Sequence, residues 1–335
     1  MNKSFFKNKS IAVTGACGSV GQNLIQKLIS LNPKIIIAID NNESKLFELK
    51  LKLKKHKNFK IILNDIRFYD YKKNIFENID IVFHGAALKH VDICEQFPSE
   101  AIDTNINALQ NLVELAIQAK VNKFIFMSSD KAVNPTNIMG SSKLIGEKII
   151  SAANNKAKTI FSSTRFGNVL GSNGSAVRIF CEQISSNKKI TITDKKMTRF
   201  VMTPNQAVNL LLDSCRLAKG GEVFVTKMPV MNIVDLASSM IKYYKKYLSK
   251  KYTPKKFHYI GSRKGEKIYE ELLTEDELLK TKVIKNFFVI YDNNQKNSKI
   301  KLSNSTNVYR SDKEKSLTEN EIFKFLIQNQ EILNY

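Results

Sequence analysis

The stretch Ile11-Ala12-Val13-Thr14-Gly15-Ala16-Cys17-Gly18-Ser19-Val20-Gly21 decides how the rest of the chain is read. Ile11 to Thr14 is an apolar run of strand length. Gly15, Gly18 and Gly21 follow at intervals of three residues. Glycine permits a tight turn, lets backbone amides approach a pyrophosphate, and lets the next helix pack close to the strand. That helix announces itself by the apolar spacing of Val20, Leu24, Ile25, Leu28 and Ile29, and its N-terminus is a place for phosphate. Nineteen residues beyond Gly21, at the end of a second apolar run, stands Asp40. The interval suits a carboxylate that binds ribose hydroxyls. Gly15, Gly18, Ser19, Val20, Gly21 and Asp40 are therefore expected to hold a dinucleotide. NAD is expected over NADP, because the Asp40 carboxylate repels a 2′-phosphate.

Further apolar runs follow at Lys34 to Ile39, Lys60 to Leu63, Asp80 to Phe83 and Lys123 to Met127. Between them lie helical patterns such as Ala108, Leu112, Val113, Leu115 and Ala116. This alternation predicts an α/β fold, a Rossmann-type doubly wound parallel sheet covered on both faces. Thr159 to Arg165 and Glu222 to Thr226 are read as later strands, and Pro204 to Leu217 as a helix that returns to the sheet. The expected organisation is a dinucleotide domain over residues 1–165, completed by about 204–226. A smaller C-terminal α/β region, 166–203 and 227–335, would bind substrate. Asn286 to Ser316 offers no chemical signal. Leu317 to Leu333 reads as an amphipathic helix opened by a Thr318–Glu321 capping box.

The 335 residues carry 53 Lys+Arg against 31 Asp+Glu, a net charge of +22. Such a balance raises nucleic acid as a partner. The lysines are scattered, however, and an excess of Asn and Ile fits a composition bias, so no nucleic-acid role is expected. A basic surface attracts an anionic small molecule equally well. No stretch is apolar enough to span a membrane and the N-terminus has no signal-peptide core, so the cytoplasm is expected. Cys17, Cys94, Cys181 and Cys215 show neither paired nor metal-type spacing, so they are read as reduced, and no metal is expected.

The chemistry concentrates in Ser128-Ser129-Asp130-Lys131-Ala132-Val133-Asn134-Pro135-Thr136-Asn137-Ile138-Met139-Gly140-Ser141-Ser142-Lys143, which follows the strand at Lys123. Strand C-termini in such sheets face the ligand crevice, so Ser129, Asp130 and Lys131 are expected there. Further motifs are His84-Gly85-Ala86-Ala87-Leu88-Lys89-His90-Val91, Asp103-Thr104-Asn105-Ile106-Asn107, and Arg165-Phe166-Gly167-Asn168-Val169-Leu170-Gly171-Ser172-Asn173-Gly174-Ser175. Two more are Thr191-Ile192-Thr193-Asp194 leading to Met197-Thr198-Arg199-Phe200, and Gly261-Ser262-Arg263-Lys264-Gly265-Glu266-Lys267. His84 and His90 are read as structural.

Together, from about residue 10 to about residue 273, these segments resemble the UDP-N-acetylglucosamine 4,6-dehydratases of bacterial surface-glycan biosynthesis. Those enzymes belong to the extended short-chain dehydrogenase/reductase superfamily. Met139 and Lys143 resemble the superfamily's Tyr-x-x-x-Lys pair, with a thioether that carries no proton in place of the phenol. Methionine there marks the branch that retains configuration at C5. That branch includes long membrane proteins whose C-terminal catalytic part is what this chain resembles. Lys264 replaces a usual proline, and Ser129 an often-present threonine.

The resemblance implies a lyase that uses NAD to oxidise C4 of a UDP-sugar, eliminates water across C5 and C6, and returns the hydride to C6. It implies Asp130 as the acid and Lys131 as the base at C5, its amine depressed by burial or cationic neighbours. Ser129 would bond O4, and Lys143 would hold the nicotinamide ribose. The O4 base is unassigned, with water relaying to Asp130 or through Ser129 as the route considered. Asp65 and Ile66 would contact adenine, although Asp65 also reads as a helix N-cap. Ala86 would pass beside the cofactor. Lys89, Asn168, Arg199 and Arg263 would bind substrate, the two arginines at the diphosphate. A homo-oligomer, at least a dimer, is expected. Competing readings are a C4 epimerase, a C5-inverting dehydratase, a non-catalytic NAD sensor and a nucleic-acid binder.

Overall fold

The computed structural model describes residues 3–68, 75–248, 252–253, 257–262, 265–291 and 308–333. Its main sheet has nine strands. In chain order they are β1 (Ser10–Thr14), β2 (Ile35–Asp40), β3 (Phe59–Leu63), β4 (Ile81–His84), β5 (Lys123–Ser129), β6 (Ile160–Phe166), β7 (Val223–Thr226), β8 (Thr281–Ile284) and β9 (Phe287–Ile290). Across the sheet the order is β8-β9-β7-β6-β5-β4-β1-β2-β3. The strands from β3 to β7 pair in parallel. The order reverses between β1 and β4, and a crevice opens there at the strand C-termini. This is the doubly wound Rossmann-type fold.

Period-two alternation along the strands sends side chains to opposite faces. Ile11, Val13, Phe83 and Ile125 pack with the helices Ser19–Ile29, Glu43–Lys52 and Pro204–Leu217. Ala12, Val82, Phe124 and Phe161 pack on the other face with the helices Ala108–Gln118 and Ile138–Ala153. Thr203 and Gln206 close a capping box at the start of Pro204–Leu217, with Pro204 in the first turn, where its missing N–H costs nothing. β6 is unusual for an interior strand: Ser162, Ser163 and Thr164 at its centre are all fully buried.

The antiparallel hairpin of β8 and β9 extends the sheet beyond β7. The expectation that 227–335 belongs wholly to a separate substrate region is corrected here, because residues 281–290 are sheet strands. Phe287, Phe288, Val289 and Ile290 are buried against the main core, an apolar run hidden in a polar neighbourhood of the sequence. A second core joins Val177, Phe180, Ile192, Met231, Leu236, Met240, Ile322 and Leu326. Over this core lies the small sheet Val230–Asn232, Thr198–Met202, Asn168–Val169. The Thr318–Glu321 capping box is present and opens the helix Glu319–Gln328.

Candidate active site

The glycine loop is shaped by contacts that exclude side chains. Gly15 has φ +67°, and a Cβ there would lie 2.6 Å from the Ala86 nitrogen. A Cβ on Gly21 would strike the Gly15 carbonyl oxygen. Asp40 closes the loop from β2: its Oδ2 accepts the Cys17 N–H at 2.9 Å and its Oδ1 the Asn42 N–H at 3.0 Å. Ser19, at the start of the first helix, accepts the Asn173 N–H at 3.1 Å. Thr14 bonds His84 Nδ1 at 2.7 Å, and the His84 ring stacks near Phe126. Burial, with Lys143 nearby, pushes the His84 imidazole down to about 3, so it is neutral and structural. Asp65 caps its own turn, accepting the Arg67 N–H at 3.0 Å and the Arg67 guanidinium at 2.7 Å. Hydrogen bonds from Arg67 hold its carboxyl below the usual range. Among the described residues Asp65 opens a turn and not a helix, and Ile66 beside it is buried.

At the end of β5 the chain turns sharply, because the Ser129 hydroxyl accepts the Lys131 N–H at 3.2 Å. The turn buries Asp130, which is 1% exposed. Its Oδ1 accepts the Ser129 hydroxyl at 2.7 Å and the Lys131 ammonium at 3.0 Å. Its Oδ2 accepts the Asn168 amide at 3.3 Å. Four expected site residues, Ser129, Asp130, Lys131 and Asn168, therefore form one cluster. The helix Ile138–Ala153 is seated against it, since a Cβ on Gly140 would strike the Lys131 carbonyl oxygen. Asn137 caps that helix, accepting the Gly140 N–H at 2.8 Å.

Met139 is buried with Cys94 and Ala101, beside Leu88 and Val91. Lys143, one turn on, donates to the Met127 carbonyl at 2.9 Å and lies 4.7 Å from the centre of the Phe126 ring. Burial pushes its ammonium down to about 8, with Glu147 opposing. Glu147 itself belongs to a buried network. It accepts Ser128 Oγ at 2.6 Å and Arg165 at 2.6 and 2.9 Å, and Arg165 reaches Glu277 at 2.6 Å.

A cleft of about 200 Å³ opens above Lys131 and Asn168, and Lys89, His90, Arg199, Lys267 and Glu270 line its walls. Lys89 donates to the Asn173 carbonyl at 2.8 Å. Arg263 lies outside the described residues.

A family model described as polysaccharide biosynthesis protein matches residues 11–292. The chain belongs to that family. It is 43% identical over 333 residues to an uncharacterized membrane protein of Methanocaldococcus jannaschii, covering 96% of each. Its identity to the capsular polysaccharide biosynthesis protein CapD of Staphylococcus aureus is 40%, over 81% of this chain and 46% of that one. A UDP-glucose 4-epimerase of Rickettsia bellii is 36% identical over 85% of this chain and 83% of its own length. Among solved structures, Pen from Bacillus thuringiensis superposes with TM-score 0.92 at 38% identity, covering 99% of this chain and 100% of that one. A dTDP-glucose 4,6-dehydratase of Streptomyces venezuelae, crystallised with NAD, shares the fold at TM-score 0.68 and 17% identity, over 77% and 86% of the two chains. So does a UDP-glucuronic acid 4-epimerase of Bacillus cereus in complex with UDP-glucuronic acid and NAD, at TM-score 0.68 and 24% identity, over 77% and 88%.

In this polysaccharide biosynthesis protein the surroundings of two expected site residues differ from what their motifs suggest. A guanidinium has five N–H donors. For Arg199 these meet Glu270 at 3.3 Å, the Thr198 and Ile268 carbonyls at 2.9 and 3.2 Å, Glu266 at 3.5 Å and the Lys267 carbonyl at 2.9 Å. Arg199 thus clamps residues 266–270 while its side chain lines the cleft. Lys131 differs too. Burial alone would push its ammonium down, but the carboxylates of Asp130 and Glu270 outweigh burial and hold it above the usual lysine range. Glu270, with its Oε1 3.2 Å from Lys131 Nζ, carries no motif signal of its own. Only the fold brings it beside a residue 139 positions away. Among the described residues no cluster of His, Cys, Asp or Glu is placed to hold a metal, all four cysteines are free and buried, and no helix is long and apolar enough to cross a membrane.

Proposed function

We propose that the protein is a nucleotide-sugar lyase that carries out NAD-dependent 4,6-dehydration of UDP-N-acetylglucosamine with C5 configuration retained. One observation carries the reading: Ser129, Asp130 and Lys131 are hydrogen-bonded together at the edge of the crevice, while the place of the superfamily's phenol is a buried thioether. The glycine loop, Asp40 and Ala86 fit a dinucleotide, with the phosphates at the N-terminus of the helix Ser19–Ile29. Bound NAD supplies the acceptor for the C4 hydride and its donor to C6. Structures of the same fold with NAD and a UDP-sugar support both ligands. A homo-oligomer of at least two copies is part of the same reading.

The residues then divide the work. Ser129 bonds O4 and passes its proton to Asp130, a step of 2.7 Å already made in the protein. Asp130 hands that proton to the departing C6 oxygen. Lys131 removes the proton from C5, made acidic by the neighbouring ketone, and returns it to the same face. Lys143 would hold the nicotinamide ribose hydroxyls, and Lys89 and Asn168 would bind the sugar nucleotide.

A C4 epimerase is the second reading, favoured by the 36% identity to proteins named UDP-glucose 4-epimerase. Incubation with UDP-N-acetylglucosamine in deuterated water, followed by NMR, separates the two. A 4-keto-6-deoxy product with retained C5 is expected, and a C4 epimer would overturn it. Asp40 leads to a further expectation: NAD binds at least about tenfold more tightly than NADP in a fluorescence titration, since a 2′-phosphate would meet a carboxylate held by two backbone amides. Equal affinities would remove Asp40 as the discriminator.

A further inference from the structure

Glu270 is 2% exposed and sits just before the strand Glu271–Leu273, where its own N–H donates to Ser311 Oγ at 2.9 Å. Its Oε1 accepts Lys131 at 3.2 Å, and Asp130 accepts the same ammonium at 3.0 Å from the other side. Arg199, from the strand Thr198–Met202, stands 3.3 Å from the same Glu270 oxygen. Asp130, Glu270 and Arg199 are thus the charged groups that face Lys131, with Lys89 acting on it from across the cleft.

The proposed dehydration leaves a proton unaccounted for. Lys131 must be a free amine to attack the C5 proton, yet it is held as an ammonium. Asp130 cannot relieve it, because Asp130 receives the O4 proton. Among the described residues, Glu270 is the other carboxylate that touches Lys131.

We propose that Glu270 is the proton store of this site, a positioning residue that takes the ammonium proton from Lys131 before C5 is attacked and returns it afterwards. The inference rests on the dehydratase reading. The sequence balances. The O4 proton moves to Asp130 and cancels one of the two charges that hold the ammonium. Lys131 then passes a proton to Glu270, leaving a neutral amine beside a neutral carboxyl. The amine takes the C5 proton; the C5–H electron pair becomes the C5–C6 double bond, and the C6–O pair leaves with the Asp130 proton as water. When the hydride reaches C6, Lys131 reprotonates C5 and recovers its own proton from Glu270. Asp130 is again a carboxylate, ready for the next substrate. Burial raises the affinity of Glu270 for a proton, the direction a store requires, and it acts whether or not Asp130 is charged.

The test is the pH profile of turnover, because a purely structural role would lower it equally at every pH. With an internal store the wild-type rate is flat from about pH 6 to pH 9. Glu270→Gln, which cannot take a proton, is expected to turn over about 100-fold more slowly at pH 7 and to gain about tenfold per pH unit above it. Glu270→Asp, which keeps a carboxyl, should stay flat. A Glu270→Gln rate within about threefold of wild type at pH 7, or a profile parallel to it, overturns the proposal. So does a wild-type rate that itself climbs tenfold per unit, a measurement that needs no variant to fold. Acetic anhydride labelling of Lys131, read by peptide mass spectrometry without substrate, supplies an independent arm. Its pH midpoint should fall by about one unit or more in Glu270→Gln, and an unchanged midpoint also overturns the coupling. If the wild type shows no dehydration, the reaction reading fails, and labelling alone decides whether Glu270 controls Lys131.

Discussion

Asp130→Asn is expected to lower dehydration by about two to four orders of magnitude, with substrate affinity changed only a few fold. The asparagine has the same shape and its oxygen can still accept from Ser129 or Lys131, so the turn at the end of β5 survives. It has no proton to give. The O4 proton then has no carboxylate to reach, and the C6 oxygen has no acid to leave with. Steady-state turnover alongside calorimetric binding of UDP-N-acetylglucosamine checks both halves. A variant within about tenfold of wild type would remove Asp130 from the chemistry. Ser129→Ala should cost less, because water can replace a hydroxyl in a relay.

Arg165→Met is expected to destabilise the protein by about 3–5 kcal/mol, measured by equilibrium unfolding in urea. Arg165 is 1% exposed and is held by Glu147, Glu277 and the Leu272 carbonyl. Removing it strands the Glu147 carboxylate in the interior. A double variant, Arg165→Met with Glu147→Met, should recover part of the loss, since it removes the orphaned charge as well. No recovery would mean that packing, and not charge, sets the cost. The network also has a pH signature. Burial alone would raise the Glu277 carboxyl, but hydrogen bonds from Arg165 outweigh it and hold the carboxyl below its ordinary range. Its contribution is therefore complete above the unfolded glutamate value of about 4.3 and is lost as pH falls below it.

The parallel strands were readable because each combines a short apolar run with a turn signal at its end, and the structure displaces their ends by only one or two residues. Local chemistry was equally legible. Ser129, Asp130 and Lys131 are neighbours in sequence, and a strand terminus places them at the crevice whatever the rest of the chain does. What local pattern cannot carry is the partner that arrives from elsewhere. Lys131 was expected to be a depressed amine, but Asp130 beside it and Glu270 from elsewhere in the chain together outweigh burial and raise it. Arg199 stands in a motif, yet four of its five donors end on the single segment 266–270, which a motif cannot foresee. β8 and β9 escaped notice because β8 carries Lys282 and β9 is a lone four-residue apolar run amid lysine and asparagine, which looks like chance until the edge of β7 waits beside it.

The strand order also has a consequence in time. β6 meets β7 only after the whole small sheet strand at Thr198 and the helix Pro204–Leu217 have been made, and β9 comes later still. At about 5–20 residues per second, a ribosome needs about 3–12 s to pass from Phe166 to Thr226, the end of β7. Throughout that interval the nascent chain carries β6 as an open edge. An edge of valine and isoleucine would be a template for pairing with other chains. The hydroxyls of Ser162, Ser163 and Thr164 make this strand a poorer template during the seconds when it waits for its neighbour.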